Sequence, residues 1–178
     1  MTPTVYLLHG RDSSPLSLKI RQLSAIATSR GWKVVAPDFS ATKDPDLRVS
    51  LFLEIAEGNR QKCVIVGSSM GGYVALLASK KLKPEALLLL APALNLAGYG
   101  ETDPKSAAGE TTIIHGWNDT LIDPLSVFHF ANKHRTTLHL VNDEHTLQQS
   151  IPFIETVFIS MLKRCESTQR LLRLTAVL

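Results

Sequence analysis

The chain has 178 residues, a length that favours a single domain. Apolar residues make up 44% and charged residues 20%, as expected for an ordinary globular protein without a transmembrane span. The formal net charge of +3 is mild and spread along the chain, and no basic stripe with interleaved aromatic residues occurs. We therefore expect neither a nucleic-acid partner nor a membrane partner.

Two cysteines, Cys63 and Cys165, lie far apart and form no CxxC pair. This spacing is typical of reduced thiols. The first residues lack the charged segment, apolar run and cleavage site of a signal peptide. These features predict a cytoplasmic protein.

Six short apolar runs alternate with segments of helical period along the chain. The runs are Val5–Leu8, Lys33–Ala36, Cys63–Val66, Ala86–Ala91, Thr111–His115 and Thr136–Val141. Several are continuously apolar, which is typical of strands buried on both faces of a parallel sheet. The alternation of strands and helices predicts βαβ units with right-handed crossovers.

Three of the helical segments carry an apolar stripe, which we expect to face the sheet. The first stripe is Ile20, Leu23 and Ala27, and the second is Leu47, Leu51 and Ile55. The third and most regular stripe is Ile151, Ile154, Val157, Phe158, Met161 and Leu162.

Two segments have no firm period. Residues 92–110 are rich in Gly and Pro and predict an irregular connection that acts as a minimal lid over a cleft. Residues 165–178 form a C-terminal tail, for which a short helix with Leu171, Leu174 and Leu178 on one side is one interpretation. The sequence thus predicts one domain over residues 1–164, followed by this tail.

The sharpest motif is Gly67-Ser68-Ser69-Met70-Gly71-Gly72, a G-x-S-x-G pattern centred on Ser69. An apolar strand precedes the motif and a helical segment follows it. Glycines two residues before and after the serine let strand and helix approach closely, so that the turn exposes the hydroxyl. The motif predicts Ser69 as a nucleophile; a simple Gly/Ser loop between strand and helix is the alternative. Ser68 is out of register because Val66 stands where the first glycine would be needed.

A serine nucleophile needs a base, and the base needs a group that orients it. Asp119 follows the fifth predicted strand and His145 follows the sixth. Open α/β sheets bind ligands at the carboxyl ends of their strands, so both residues fall on the same side as Ser69. Asp123 and Asp143 remain alternatives to Asp119. The former resembles a helix N-cap, and the latter is placed to orient a loop or the imidazole.

Five further histidines compete with His145 for the role of base. His115 and His139 lie within predicted strands and are interpreted as packing residues, and His129 and His134 belong to a predicted helix. His9 lies at the end of the first strand, in Leu8-His9-Gly10-Arg11. His145 is favoured because it occupies a loop on the ligand side of the sheet.

The segment Leu8-His9-Gly10-Arg11 is also where a second oxyanion donor is expected. Gly10 permits the turn, so we expect the backbone amides of Arg11 and Met70 to form the oxyanion hole. The Arg11 side chain has two readings: a group at the cleft mouth that favours an anionic substrate, or a solvated surface residue. The substrate-binding residues that we expect are Gly10, Ser68 and Trp117.

Together these motifs resemble the α/β-hydrolase superfamily. The matching residues are Leu8-His9-Gly10-Arg11, Gly67 to Gly72, His115-Gly116-Trp117-Asn118-Asp119 with Asp123-Pro124, and Glu144-His145. Within the superfamily, the chain is most similar to small bacterial esterases of the YqiA type. The similarity lies in its short length, in His9-Gly10 followed by Ser13-Ser14-Pro15, and in Tyr73 directly after the Gly67–Gly72 motif. The resemblance implies a three-layer α/β fold. Its trimmed sheet of six parallel strands has the order 2-1-3-4-5-6, with helices on both faces.

The resemblance further implies a carboxylester hydrolase that works through an acyl-enzyme. On this interpretation a small-molecule ester is the partner, and neither a metal nor an organic cofactor is needed. Thioesterase and amidase activity use the same Ser-His-Asp chemistry and remain alternatives. A non-catalytic protein that binds a small ligand or a protein in the same pocket is a second alternative, because fold does not dictate function. The sequence leaves open whether the protein is a monomer or a homodimer.

Overall fold

The computed structural model describes residues 2–58 and 62–175, with side chains described up to residue 167. These residues form six strands and five helices. The strands are β1 (Thr4–Leu8), β2 (Lys33–Val35), β3 (Cys63–Ser68), β4 (Ala86–Leu90), β5 (Glu110–Gly116) and β6 (Thr137–Val141). The helices are α1 (Leu18–Ser29), α2 (Pro45–Ile55), α3 (Met70–Leu82), α4 (Pro124–His134) and α5 (Ile151–Thr175).

All six strands belong to one parallel sheet in the order β2-β1-β3-β4-β5-β6. This confirms the predicted sheet. Every residue of β1 and β4 is buried, which explains why these strands appear in the sequence as continuous apolar runs. Because all strands point the same way, their carboxyl ends meet at one edge, and the loops after β1, β3, β5 and β6 lie together there.

The sheet separates two apolar cores, so the molecule has the predicted three layers. On one face, Phe52 of α2, Val74 of α3 and Val127 of α4 join a common cluster. On the other face, Leu23 of α1 and Phe158 of α5 join a second cluster. Strand side chains alternate between the two cores because successive residues of a strand point to opposite faces.

The apolar stripes of α1 and α5 are buried as predicted. The three stripe residues of α1 are at most 4% exposed. Along α5, Val157 is partly buried against the core, and the other five stripe residues are buried.

The stripe predicted for α2 is wrong at two of its three positions. Leu51 is partly buried against the core, but Leu47 and Ile55 are 47% and 48% exposed. Arg48 and Phe52 are fully buried instead. Phe52 packs edge-on against the ring of Tyr6 in β1, with 5.2 Å between ring centroids. Helix α2 turns the face that carries Arg48 toward the core because this side chain has backbone hydrogen-bond partners in the interior.

The C-terminal tail is not a separate short helix, because α5 continues without a break to Thr175. No Gly or Pro interrupts the sequence after Pro152, so nothing ends the helix at residue 164. The continuation contacts the core: Cys165 is buried, and Glu166 accepts hydrogen bonds from Arg30 and Trp32. The proposed stripe of Leu171, Leu174 and Leu178 lies outside the described side chains.

Both cysteine thiols, Cys63 and Cys165, are free and buried. Burial raises the pKa of Cys63 to about 11 and that of Cys165 to about 12, so neither thiol is activated as a nucleophile. Within the described residues, no helix combines the length and the apolarity that crossing a bilayer would require.

Candidate active site

Ser69 occupies a strained turn between β3 and α3. Its φ of 53° and ψ of −118° lie in a region that non-glycine residues rarely adopt, at a cost of about 1–3 kcal/mol. The turn is held by its own backbone. The Ser69 N–H donates to the carbonyl of Leu90, and the Ser69 carbonyl accepts from the N–H groups of Gly72 and Ala93. The hydroxyl caps no helix and is left for another partner.

Two glycines of the motif are required by close contacts. A Cβ at Gly67 would overlap the backbone of Gly71, and a Cβ at Gly71 would overlap the carbonyl of Leu8. Strand β3, helix α3 and the end of β1 are therefore packed backbone against backbone. The G-x-S-x-G spacing has this steric cause.

The structure brings Ser69, His145 and Asp119 into one hydrogen-bonded chain. Ser69 Oγ lies 2.9 Å from His145 Nε2, and His145 Nδ1 lies 2.7 Å from Asp119 Oδ2. The Asp119 carboxylate is fully buried, whereas the His145 ring is 18% exposed. An imidazole that donates through Nδ1 to a carboxylate keeps Nε2 free to accept the serine proton.

Asp119 is fixed by backbone donors as well as by His145. Its Oδ1 accepts the N–H groups of Leu121 and Ile122, each at 2.9 Å. Through these two hydrogen bonds, the Asp119 carboxylate holds the loop between β5 and α4 in place. Its Oδ2 is left to hold the imidazole.

The two alternative acids have other partners. Asp143 Oδ1 accepts the N–H of Glu144 and Oδ2 accepts that of Ser150, so this side chain shapes the loop that carries His145. Burial opposes ionisation of Asp143, but these hydrogen bonds outweigh it and lower its pKa. Asp123 accepts from Leu125 N–H and caps α4. In the described part of the chain, neither carboxylate is hydrogen-bonded to His145.

His115 is a site residue that the sequence analysis assigned to packing. Its Nε2 lies 3.0 Å from the carbonyl of Ile122 and 3.3 Å from Asp119 Oδ2. Two acceptors at one nitrogen require that Nε2 carries the proton. Burial lowers the pKa of His115, which keeps the ring neutral. The sequence signal available was its position four residues before Asp119, at the end of a buried strand.

The loop after β1 lies directly against the nucleophile. A Cβ placed on Gly10 would stand 3.3 Å from Ser69 Cβ. The loop is held by His9, whose Nδ1 donates to the Gly10 carbonyl at 2.7 Å and whose Nε2 accepts the Phe39 N–H at 2.9 Å. Burial lowers the pKa of His9, in agreement with a neutral ring.

Arg48 holds the same loop from the interior and was not anticipated. Its guanidinium donates to the carbonyls of Gly10 and Arg11 at 3.1 Å, of His9 at 3.4 Å and of Thr42 at 2.8 Å. The C=O and the following N–H of a peptide unit point in opposite directions. Because the Gly10 carbonyl points toward Arg48, the N–H of Arg11 points away from Arg48.

A cavity of about 810 Å³ opens beside this chain of residues. Ser69, His145, Gly10, Arg11 and Ser68 line it, as expected for the site. Trp117 does not. Its N–H extends the β5–β6 pairing by donating to the Val141 carbonyl, and its side chain is 52% exposed outside the cavity.

The irregular connection between β4 and β5 forms one wall of the cavity through Leu96 and Tyr99. It is tied to the body of the protein by Asp46, which accepts the Gly100 N–H and the Tyr73 hydroxyl proton. The segment contains no helix, so any lid over the cavity is minimal.

A second cavity of about 770 Å³ lies at the opposite end of the sheet, at the start of β5 and β6. It contains none of the residues of the Ser69 site. Among the residues that the structure describes, no group of three or more His, Cys, Asp and Glu side chains is arranged to hold a metal ion.

Comparisons with known proteins agree with this architecture. The model of the uncharacterised protein family UPF0227 matches residues 4–156. A protein of known crystal structure from Xanthomonas campestris pv. campestris, described as a "putative hydrolase of the alpha/beta superfamily", is 30% identical to this chain. The match covers 90% of this chain and 98% of that one, with a TM-score of 0.83.

Two more distant structures share the fold. A lidless α/β serine hydrolase from Xanthomonas campestris is 19% identical, with 90% of this chain and 81% of that chain covered and a TM-score of 0.69. An α/β serine hydrolase homologue from Coxiella burnetii is 16% identical, with 90% and 85% covered and a TM-score of 0.70. No curated protein has significant sequence similarity to this chain.

Proposed function

The chain belongs to the uncharacterised protein family UPF0227 within the α/β-hydrolase superfamily, and on that premise we propose that it cleaves small carboxylic esters through an acyl-enzyme. The observation that carries the proposal is the hydrogen-bonded chain from Ser69 Oγ through His145 to Asp119, with distances of 2.9 and 2.7 Å. Ser69 and His145 line the cavity in which a substrate would be bound.

In the first half of the reaction, Ser69 Oγ attacks the ester carbonyl while His145 Nε2 takes the hydroxyl proton. The imidazolium then gives this proton to the departing alcohol, leaving an acyl group on Ser69. In the second half, a water molecule loses a proton to His145 and attacks the acyl-enzyme. The carboxylic acid leaves and the Ser69 hydroxyl is restored. Asp119 keeps Nδ1 protonated and stabilises the imidazolium throughout.

The oxyanion formed in each half needs hydrogen-bond donors that are already in place. Helix α3 begins at Met70, so the Met70 N–H belongs to the first turn, where helix amides have no partner within the helix. The Arg11 N–H, on a loop that contacts Ser69, is the second donor in this proposal. Arg48 and His9 contribute by fixing the carbonyls of that loop.

The strained conformation of Ser69 favours catalysis over simple ligand binding. A binding protein has no need to hold its serine at a cost of about 1–3 kcal/mol with the hydroxyl directed at an imidazole. The cavity volume of about 810 Å³ lies within the range of small-molecule sites.

The proposal is tested with 4-nitrophenyl esters of increasing acyl length, a matched thioester and a matched anilide. We expect hydrolysis of the short esters, with kcat lowered on the order of 10⁴-fold or more in Ser69→Ala. Faster turnover of the thioester or anilide would assign the leaving group to that class instead. Equal ester hydrolysis by wild type and Ser69→Ala would exclude the mechanism.

A further inference from the structure

A lysine lines the wall of the cavity formed by α1. Lys19, in the first turn of α1, is half-buried and borders the same cavity as Ser69 and His145. Its Nζ donates to the carbonyl of Thr146 at 2.5 Å. Because Thr146 directly follows His145, the ammonium group lies beside the loop that supplies the proposed base.

The ammonium group of Lys19 has donors that no described acidic side chain occupies. An ammonium group has three donors, and the Thr146 carbonyl takes one of them. In the described part of the chain, Lys19 forms no ion pair. The Asp143 carboxylate attracts the Lys19 ammonium group electrostatically but forms no direct ion pair with it, and it accepts the backbone N–H groups of Glu144 and Ser150. Burial lowers the pKa of Lys19 to about 8, so the group is protonated at neutral pH.

The surroundings of Lys19 on this wall also favour an anion. The N-cap residue Ser17 makes no side-chain cap, and the first turn of α1 contains no acidic residue. Unpaired N–H groups at a helix start attract negative charge. Arg11 borders the cavity as well and forms no ion pair among the described residues. The acid at this mouth, Asp12, is neutralised by Lys43 at 2.7 Å.

A half-buried cation without a direct ion-pair partner is stabilised when a ligand supplies one. We propose that the natural substrate is an ester that carries a second, anionic group such as a carboxylate, and that Lys19 binds this group, with Arg11 contributing at the mouth. The inference rests on the proposed esterase function and specifies its substrate class. Of the two interpretations of the Arg11 side chain, the proposal adopts the one at the cleft mouth, where Arg11 borders the cavity.

The test compares charged and uncharged esters that are otherwise alike. One pair places the charge on the acyl side: 4-nitrophenyl hydrogen adipate and 4-nitrophenyl methyl adipate. The other places it on the leaving group: 4-butyryloxybenzoate and 4-butyryloxybenzamide. For each pair, kcat/KM is measured at pH 7 for wild type, Lys19→Met, Lys19→Arg and the control Lys81→Met. Lys81 is an exposed lysine on α3, so the control removes the same charge from outside the cavity.

We expect wild type to prefer the charged member of one pair. Lys19→Met lowers this preference on the order of tenfold or more, as expected for loss of a charge-assisted hydrogen bond. Lys19→Arg restores part of the preference, and Lys81→Met leaves it unchanged. A similar loss for charged and uncharged esters would mean that Lys19 only positions the Thr146 loop, and it would overturn the proposal. So would a wild-type enzyme with no preference in either pair.

A binding measurement separates this inference from the proposed function. The Kd values of all four esters are determined by calorimetry with Ser69→Ala and with Ser69→Ala/Lys19→Met. Tighter binding of the charged member of either pair that depends on Lys19 supports the anion site even if no ester is hydrolysed. For both charged esters, equal Kd values for the two proteins would overturn the site, even if hydrolysis by wild type is rapid.

Discussion

Replacing Arg48 with methionine tests whether an interior cation holds the proposed oxyanion loop. Methionine keeps much of the apolar stem of the side chain but removes every donor. In the wild type, the guanidinium has four backbone carbonyl acceptors, three of them on residues 9–11. It is fully buried and forms no ion pair in the described part of the chain. The hydrogen bonds of Arg48 to the loop are therefore its main contribution to the stability of the fold.

The loss of stability depends on which hydrogen-bond donors each carbonyl keeps after the guanidinium is removed. The Gly10 carbonyl keeps its hydrogen bond from His9, and the carbonyls of Arg11 and Thr42 are partly exposed and can bind water. The buried His9 carbonyl loses its donor, at about 1–3 kcal/mol. The lost bonds to the other carbonyls add about 1 kcal/mol each, while removing a buried charge offsets part of the total. We expect the free energy of unfolding to fall by about 3 kcal/mol.

Urea unfolding of Arg48→Met, Arg48→Lys and Leu47→Met measures this change. Lysine reaches fewer of the carbonyls and should lose less than methionine. Leu47 is exposed on the neighbouring face of α2, so Leu47→Met should change stability by less than about 0.5 kcal/mol. The kcat of Arg48→Met for a short ester should fall on the order of tenfold to a hundredfold as the loop loses its anchor. A stability loss below about 1 kcal/mol with an unchanged kcat would refute the reasoning.

Three further predictions follow from the site and its supports. Asp119→Asn should lower kcat on the order of 10⁴-fold because it disturbs the tautomer of the His145 imidazole. Asp143→Asn should lower kcat much less. If Asp143→Asn is the more damaging variant, the wrong acid has been assigned. Burial lowers the pKa of His9 and of His115, so the unfolded chain binds protons first as the pH falls through about 6.5. The free energy of unfolding should therefore be fully present above pH 6.5 and decline toward pH 5, by up to about 1.4 kcal/mol per pH unit for each histidine; a flat profile in urea titrations would contradict this. Gly71→Ala should lower the free energy of unfolding by about 3 kcal/mol in the same assay, because its Cβ would overlap the Leu8 carbonyl of β1. A variant as stable as the wild type would show that the turn between β3 and α3 can widen.

The sheet was predictable because its signals are local. Strands buried on both faces appear as continuous apolar runs, and alternation with helices requires parallel pairing. Once the strands are parallel, a residue just after any strand belongs to one edge of the sheet. For this reason Ser69, Asp119 and His145 could be grouped from sequence although 76 positions separate the serine from the histidine.

The features that were missed depend on partners distant in sequence. On α2, Leu47 and Ile55 form an apolar stripe, but the buried face carries Arg48, which hydrophobic periodicity counts as polar. Arg48 can be buried because it donates to backbone carbonyls almost 40 residues away in the sequence. Local sequence patterns do not indicate such distant partners. His115 looked like a packing residue because its contact with Asp119 depends on how the loop after β5 folds back. Trp117 was expected at the site from its position in the motif alone, and the β5–β6 pairing instead leaves its side chain outside the cavity.

Covalent labelling with a fluorophosphonate tests the central claim most directly, because this probe phosphonylates a serine only where the hydroxyl is activated. We predict a single adduct on wild type, mapped by peptide mass spectrometry to Ser69, with labelling abolished in Ser69→Ala and strongly slowed in His145→Ala. An adduct on another residue, or labelling of His145→Ala at the wild-type rate, would contradict the account.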